Sequence, residues 1–252
     1  MVQRSSTPEC RMKRICIWSG PRNVSTALMY SFAERLDTEV VDEPLYGAYL
    51  ARSDRREEHP NWKKVMASQP TNLGEAVEKG MLRLSNMEVL LMKNMAHHWR
   101  GVDVSLLGHF KNILLFRHPA LVARSFDQII EAPSAEDLGY PQQIEILDEL
   151  TRQELPVYGV DSSEIRNATE PTLKKLCREL DLQFDERMLS WEAGPRPEDG
   201  VWAPHWYANV HRSTGFVRES IEVPQVEALP EKLQDVVLEC LPYWERLRET
   251  LR

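Results

Sequence analysis

Short apolar runs alternate with helical patterns along this chain, and this alternation restricts the fold more than any other feature of the sequence. From Ser25 onward, apolar residues at four-residue spacing (Leu28, Phe32 and Leu36) predict a helix directly after the first run. Strands that alternate with helices pair in parallel and are covered by helices on both faces. The sequence therefore predicts a three-layer αβα fold with a central parallel sheet of about five strands. The predicted strands are residues 14–18, 40–41, 89–93, 113–116 and 157–160.

Helix signals later in the chain agree with this pattern. Pro119 stands where a helix begins, with Phe126 and Ile129 on its apolar face. Thr169 caps another helix, and the last helix begins near Glu231. These helices follow the fourth and fifth predicted strands, as an alternating α/β fold requires.

Length and charge limit the organisation and the partners of the chain. Its 252 residues suit one domain over residues 1–252, in which residues 1–12 are polar and aperiodic and predict a flexible tail. The formal net charge is −8 at pH 7. An acidic chain is a poor ligand for duplex nucleic acid, because that binding depends on neutralising phosphates. An anionic ligand would therefore need a local basic pocket.

Cysteine usage and hydropathy indicate the compartment. The four cysteines lie far apart and form no Cys-x-x-Cys pair, which is typical of neither a disulfide scaffold nor a zinc site. No apolar run approaches the roughly 20 residues of a membrane span, and the start lacks the apolar stretch of a signal peptide. We expect a cytoplasmic protein that has no membrane segment and no metal. No clear dimer motif is present, so a homodimer stays open.

The residues that follow the predicted strands are candidates for the functional site, because ligands of parallel α/β sheets bind at the carboxyl ends of strands. These positions are rich in arginine, lysine, histidine, glutamate and hydroxyl side chains. They comprise residues 19–26, 42–43, 93–98, 117–118 and 161–162.

The first of these segments, residues 19–26, has the character of an anion-binding loop. Unpaired N–H groups and the helix dipole favour a phosphate or sulfate at a helix start. Arg22 would add a full positive charge, and Ser25 and Thr26 would add hydroxyl donors. The loop lacks the Gly-Lys-[Ser/Thr] ending of a Walker A motif. A tight strand-to-helix turn capped by Ser25 is the structural alternative.

A second candidate anion-binding site follows the fourth predicted strand. Arg117 ends that strand, and Ser125 lies eight residues later in the predicted helix that starts at Pro119. An arginine fork and a hydroxyl at this separation can hold one phosphate from two sides. A solvent-exposed arginine beside an ordinary capped helix is the alternative.

Taken together, these segments resemble the sulfotransferases that use 3′-phosphoadenylyl sulfate, in particular the bacterial sulfotransferase-like branch. Residues 21–26 are similar to the loop that holds the 5′-phosphosulfate in that family, and Arg117 and Ser125 to the pair that holds the 3′-phosphate. Residues 43–45 (Glu-Pro-Leu), 171–191 and 206–216 also resemble family segments. The resemblance spans roughly residues 14–218 and implies a P-loop NTPase-like fold.

The resemblance implies a set of residues that bind the sulfate donor, 3′-phosphoadenylyl sulfate, without a metal. Arg212 or Arg218 would replace a basic cluster of the cytosolic branch. Val24 stands where the family loop has glycine, and we expect it to require a negative φ. The donor-binding residues would be Pro21, Arg22, Asn23, Val24, Ser25, Thr26, Arg117, Ser125 and Arg212.

The acceptor, a hydroxyl or amine of a small molecule, needs a base, and three side chains are candidates. Glu43 follows the second predicted strand, and His97 and His98 follow the third. We favour Glu43, then His98, then His97; each is also explained as a hydrogen-bonded loop residue or a partly buried histidine. Lys93 would contact the sulfate or the leaving group, and Arg22 would stabilise the departing oxygens.

Two other functions stay open on sequence grounds. A kinase using Mg-ATP would explain the acidic pair Asp42 and Glu43 after a strand, although the Walker lysine is missing. A non-catalytic nucleotide-binding protein would keep the fold without the chemistry. Four aromatic side chains would stack on adenine or line the acceptor pocket, and are equally explained as core or surface-anchoring aromatics: Trp202, His205, Trp206 and Tyr207. The identity of the acceptor is not encoded in any motif.

Overall fold

The structure is a computed structural model that describes residues 12–127, 133–218 and 222–251. Of the predicted tail, Met12 lies within this part of the chain and residues 1–11 lie outside it. Ile129, which was predicted on the face of the helix that begins at Pro119, also lies outside the described residues.

The described residues form a parallel sheet of five strands in the order β2-β3-β1-β4-β5. Each strand coincides with one of the predicted apolar runs and extends it by one to three residues. The prediction of a parallel α/β sheet is confirmed. The strands are β1 (Lys13–Ser19), β2 (Thr38–Asp42), β3 (Val89–Met95), β4 (Lys111–Phe116) and β5 (Val157–Asp161).

Helices connect the strands and cover the sheet. The α-helices are α1 (Ser25–Ala33), α2 (Tyr46–Arg52), α3 (Trp62–Ser68), α4 (Leu73–Ala76), α5 (Pro119–Phe126), α6 (Ala135–Leu138), α7 (Tyr140–Arg152), α8 (Ser162–Asn167), α9 (Thr169–Glu179), α10 (Ala203–Trp206), α11 (Ala208–His211) and α12 (Glu231–Thr250). Short 3₁₀ turns span Arg56–Glu58, Ala96–Trp99, Val104–His109, Glu186–Leu189 and Val226–Ala228, and a π turn spans Val77–Met81.

Two apolar layers lie on opposite faces of the sheet, because successive side chains of a strand point to opposite sides. On β1, Ile15 and Ile17 pack in the layer that contains residues of α1 and α9. Cys16 and Trp18 pack in the layer that contains residues of α7 and α12. Every one of these four side chains is fully buried. The described residues therefore form the predicted three layers.

The first helix is shorter than its apolar spacing predicts. Helix α1 ends at Ala33, and Leu36 is 76% exposed instead of lying on its buried face. Arg35 explains the difference, because its guanidinium donates to the Asp37 carboxylate and to the Thr38 hydroxyl. These bonds hold the turn that leads directly into β2.

The stretch 51–64 is rich in charged residues, a composition typical of a surface loop, but it contains helix. It includes the end of α2, a 3₁₀ turn and the start of α3. Most of its side chains are nevertheless exposed or half-buried. The charge pattern indicated the surface position correctly but not the backbone conformation.

Candidate functional site

One cavity of about 430 Å³ lies at the carboxyl ends of the strands and gathers most of the predicted site residues. It is lined by residues that follow β1, β2, β3 and β4, as the rule for parallel sheets requires. Among the predicted residues, those in its wall are Pro21, Arg22, Asn23, Val24, Ser25, Thr26, Glu43, Lys93, His97, His98, Arg117 and Ser125.

The loop between β1 and α1 has an unusual backbone. Arg22 has φ 60° and Val24 has φ 56°, both in the left-handed region. The expectation that Val24 requires a negative φ is wrong. A β-branched residue in this region is strained by roughly 1–3 kcal/mol, so the surrounding contacts must enforce the conformation.

Asn23 supplies some of those contacts from the centre of the loop. Its side-chain Nδ2 donates to the Leu115 carbonyl of β4 at 3.3 Å. Its own carbonyl accepts from the Ser162 hydroxyl at 2.7 Å. The loop is thereby tied to two strand ends, and the Asn23 side chain is directed toward the sheet. Its contribution to an anion site would come from its backbone.

The two predicted anion-binding sites, the loop of residues 21–26 and the pair Arg117 and Ser125, are in contact with each other. Nε of Arg22 donates to the Ser125 hydroxyl at 2.9 Å, and the Arg117 guanidinium donates to the Arg22 carbonyl at 3.2 Å. Both arginines line the same cavity, on the same side of the sheet. Arg22 forms no ion pair with any carboxylate within residues 12–127, 133–218 and 222–251, and burial lowers its pKa. A half-buried guanidinium without a carboxylate favours an anionic ligand.

Lys93 occupies a buried position within β3, beside Asp42 of β2 in the strand register. Its ammonium donates to Asp42 Oδ1 at 2.9 Å, to the Tyr207 hydroxyl at 2.7 Å and to Glu43 Oε1. An ammonium has three donors, so all of them are used within the protein. Burial alone would lower the pKa of Lys93, but the two carboxylates together raise it.

Tyr207 closes this buried network from the C-terminal part of the chain. Its hydroxyl donates to the Asp42 carboxylate at 2.8 Å and accepts from the Trp202 indole N–H at 2.9 Å. Asp42 also accepts from the Gly200 backbone N–H at 3.1 Å. Both Asp42 oxygens are therefore occupied by donors of the protein itself.

Glu43 lies at the edge of this network, and its Oε2 accepts no hydrogen bond from the residues that the structure describes. Its φ is 42°, and its backbone N–H donates to the Lys93 carbonyl at 2.7 Å. Burial raises the pKa of Glu43 to about 7. The positive charge of Lys93 lowers this pKa, and the negative charge of Asp42 raises it further. Its Oε2 is 3.9 Å from His98 Nε2, which is too long for a hydrogen bond. Glu43 is thus poised to exchange a proton near neutral pH.

His98 and His97 line the cavity with unsatisfied nitrogens. His98 is fully buried, and neither ring nitrogen has a hydrogen-bond partner among the described residues. His97 is half-buried, but its Nδ1 is likewise buried without a partner. Burial lowers the pKa of His97 to about 3 and that of His98 well below its usual value. Both imidazoles are therefore neutral, and each unmet nitrogen costs about 1–3 kcal/mol unless water or a ligand satisfies it.

A sequence model of the sulfotransferase domain matches residues 12–250. The chain belongs to the sulfotransferase domain family. The match covers the loop after β1, the buried network and the helices on both faces of the sheet, so the cavity belongs to a sulfotransferase domain.

Two curated relatives come from Arabidopsis thaliana. Branched-chain-amino-acid aminotransferase-like protein 1 is 37% identical over 237 residues, which cover 93% of this chain and 41% of that protein. Branched-chain-amino-acid aminotransferase-like protein 2 is 36% identical over 241 residues, covering 94% of this chain and 42% of that protein. The chain thus spans about two-fifths of the length of these relatives, and their names describe the longer proteins.

Solved structures share the fold of this sulfotransferase domain at low sequence identity. A sulfotransferase from Alicyclobacillus acidocaldarius is 12% identical with a TM-score of 0.57, covering 95% of this chain and 96% of that one. The sulfotransferase domain from the curacin biosynthetic pathway is 19% identical with a TM-score of 0.51, covering 91% and 98%. At these identities the likeness concerns the fold alone. Within the described ranges, no helix has both the length and the apolarity to cross a membrane.

The basic rim of the sulfotransferase cavity differs from the sequence prediction. Arg212 is exposed, donates to the Asn209 side chain at 2.7 Å and is not part of the cavity wall. Arg124 and Arg166 line the cavity instead. Arg166 lies in α8, directly after β5, so the strand-end rule could have found it. Arg124 carried no such signal, because it lies one residue before Ser125 on an ordinary helix.

Proposed function

We propose that this chain is a sulfotransferase that moves the sulfuryl group of 3′-phosphoadenylyl sulfate to a small-molecule acceptor. The observation that carries the proposal is the contact of Arg22 with both Ser125 and Arg117 on one cavity wall. A single nucleotide with two anionic ends can reach both anion-binding sites only when the two sites share a cavity. Family membership supports the same chemistry.

The donor would be held from two sides. The N–H groups of the first turn of α1 lack intrahelical partners and would bind the phosphosulfate together with Arg22. Arg117 and Ser125 would bind the 3′-phosphate, as the family resemblance implies. Arg22 has no carboxylate partner in the described part of the chain, so its charge is available to the transferring group.

The reaction would transfer the sulfuryl group in line between two oxygens. The acceptor oxygen forms a bond to sulfur while the bond between sulfur and the phosphate oxygen of the donor breaks, and the electron pair leaves with the phosphate. Glu43 would take the acceptor proton. Lys93, expected from the sequence to contact sulfate, has its three donors engaged, and we assign it instead to hold the Glu43 carboxylate in place.

The donor assignment is tested by thermal unfolding with adenosine 3′,5′-bisphosphate and, separately, with Mg-ATP. A ligand that binds the native state at 100 times its Kd stabilises it by about 2.7 kcal/mol. We expect the bisphosphate to raise the Tm and Mg-ATP to leave it nearly unchanged. Stabilisation by Mg-ATP alone would favour the kinase alternative, which the occupied Asp42 carboxylate makes less suitable for magnesium.

Variants of the two arginines separate binding from chemistry. Arg117→Ala should weaken bisphosphate binding by about 10- to 100-fold, because a hydrogen bond to a charged group contributes about 1.5–3 kcal/mol. Arg22→Ala should lower the rate of sulfate transfer by at least about 100-fold. Arg178→Ala, an exposed arginine on α9, serves as the control for titration calorimetry and for the transfer assay. Tight bisphosphate binding without transfer to any acceptor would indicate the non-catalytic alternative.

A further inference from the structure

One part of the cavity wall is built from rings that come from widely separated segments of the chain. Tyr46 of α2 stacks on His98 with ring centroids 4.9 Å apart and planes 16° apart. The Trp202 ring meets Tyr46 edge-on at 5.2 Å. All three side chains are buried and line the cavity. Flat, apolar ligand surfaces fit such walls better than bulky charged ones.

Polar atoms in this wall are few: the Tyr46 hydroxyl contacts His59 Nδ1 and the Trp202 indole N–H donates to Tyr207, so the unmatched ones are those of His98. His98 Nδ1 and Nε2 have no hydrogen-bond partner within the described residues, although the side chain is fully buried. Buried polar atoms in folded proteins are satisfied by protein, water or ligand. An occupant of this part of the cavity must therefore offer a hydrogen-bonding group to His98.

The spacing of His98 and Glu43 defines that group. His98 Nε2 and Glu43 Oε2 are 3.9 Å apart, so they do not bond to each other. An oxygen atom can lie about 2.8 Å from both at once. A hydroxyl both donates and accepts, so it can donate to Glu43 and accept from the imidazole N–H. When His98 carries its proton on Nε2, an ammonium cannot accept from the imidazole N–H and a carboxylate cannot donate to Glu43, so neither satisfies both partners.

We propose that Tyr46, His98 and Trp202 form the acceptor subsite, and that it takes an uncharged hydroxyl compound with a flat apolar body, its hydroxyl bridging Glu43 Oε2 and His98 Nε2. The proposal rests on the proposed sulfotransferase function. Glu43 receives the hydroxyl proton as the new oxygen–sulfur bond forms. His98 is a positioning residue that fixes the attacking oxygen through its N–H and takes no proton.

Charge at the ends of β2 and β3 disfavours an anionic acceptor. Asp42 and Glu43 carry two carboxylates against the single ammonium of Lys93. An anionic acceptor would meet this excess of negative charge at close range in a poorly solvated site. The neutral imidazoles add no positive charge there, and the arginines of the cavity wall, Arg22 and Arg117, are assigned to the donor. An acidic group next to the reacting hydroxyl is therefore disfavoured.

The acceptor class is tested with four small compounds of one shape: 4-propylphenol, 4-propylaniline, tyramine and 3-(4-hydroxyphenyl)propionate. Product is measured by mass spectrometry with 3′-phosphoadenylyl sulfate as donor. We expect kcat/KM for 4-propylphenol to exceed that of each other compound by about tenfold or more. Equal or better turnover of the charged phenols or of the aniline would overturn the proposal.

Binding of adenosine 3′,5′-bisphosphate is measured on the same preparation. If the bisphosphate binds but 3′-phosphoadenylyl sulfate gives no sulfated product with 4-propylphenol, 2-naphthol or 1-hexanol, the acceptor proposal fails while the donor site stands. If the nucleotide does not bind, the proposed function itself fails.

The role of His98 is tested by His98→Leu and His98→Asn, with His109→Gln on an exposed 3₁₀ turn as the control. We expect His98→Leu to lower kcat/KM for 4-propylphenol by about 10- to 100-fold, with bisphosphate affinity changed by less than about twofold. His98→Asn, which retains an N–H donor, should recover part of the activity. The acid limb of the pH profile should persist in both variants, since Glu43 is the base. Loss of that limb in His98→Leu would make His98 the base and contradict the positioning role.

Discussion

At the scale of single residues, the Tyr207 hydroxyl joins the buried charges at the ends of β2 and β3. It donates to Asp42 and accepts from Lys93 and the Trp202 indole. Tyr207→Phe leaves two buried donors without this acceptor, and we expect the free energy of unfolding to fall by about 1–3 kcal/mol in urea denaturation. Tyr158→Phe is the matched control, because no hydrogen bond of its hydroxyl occurs in the described ranges. An equal loss in both variants would contradict the role of the network.

Glu43 makes a prediction about pH at the same scale. With its pKa raised to about 7, a base at this position loses activity as the pH falls below 7. Asp42→Asn removes a like charge and should move the acid limb of kcat/KM to lower pH. Lys93→Met removes the opposite charge and should move it to higher pH by about one unit or more. If the acid limb of kcat/KM stays at the same pH in both variants, or shifts in the same direction in both, Glu43 is not the base.

At the scale of elements, the loop after β1 is held in place by the junction of α6 and α7. A Cβ atom added to Gly20 would lie 2.3 Å from the Leu138 carbonyl oxygen, which belongs to the backbone and cannot rotate away. Gly20→Ala should therefore destabilise the fold by about 1–3 kcal/mol and weaken bisphosphate binding by about tenfold. Gly108→Ala is the control, since the nearest atom there is 3.9 Å away. If Gly20→Ala binds the bisphosphate with wild-type affinity, the contact with the α6–α7 junction does not affect the anion site.

The elements also explain which parts of the site could be predicted. Buried parallel strands are continuous apolar runs, so all five strands and the residues after them were predictable from the sequence. The partners of Lys93 were not, because they depend on β2 pairing with β3 and on the return of the chain at Tyr207. Tyr46 stacks on His98, and Trp202 meets Tyr46, only in the folded protein, and neither lies in a periodic pattern. The left-handed Val24 contradicts its local preference, which only surrounding contacts can overcome.

At the scale of the whole molecule, the site should make stability depend on pH. His97 and His98 have lowered pKa values when folded, so below pH 6.5 the unfolded chain binds more protons and stability is lost on acidification. Glu43, with its raised pKa, acts in the opposite direction: its contribution is present below pH 4.5 and is lost as the pH rises through 7. Each proton contributes about 1.4 kcal/mol per pH unit. Burial lowers the pKa values of His59 and His118 as well, so the histidines together outweigh the one glutamate and we expect a net loss of stability between pH 7 and pH 5.

Removing one histidine should weaken this dependence. His97→Gln removes one destabilising proton, so the free energy of unfolding lost between pH 7 and pH 5 should be smaller than in the parent chain by about 2 kcal/mol. Urea denaturation at half-unit pH steps measures both curves, and His109→Gln, an exposed histidine outside the cavity, should keep the slope of the parent chain. An unchanged slope in His97→Gln would mean that this histidine is protonated in the folded protein. His97 would then place a positive charge beside His98 of the acceptor subsite, since the two ring centroids are 4.7 Å apart.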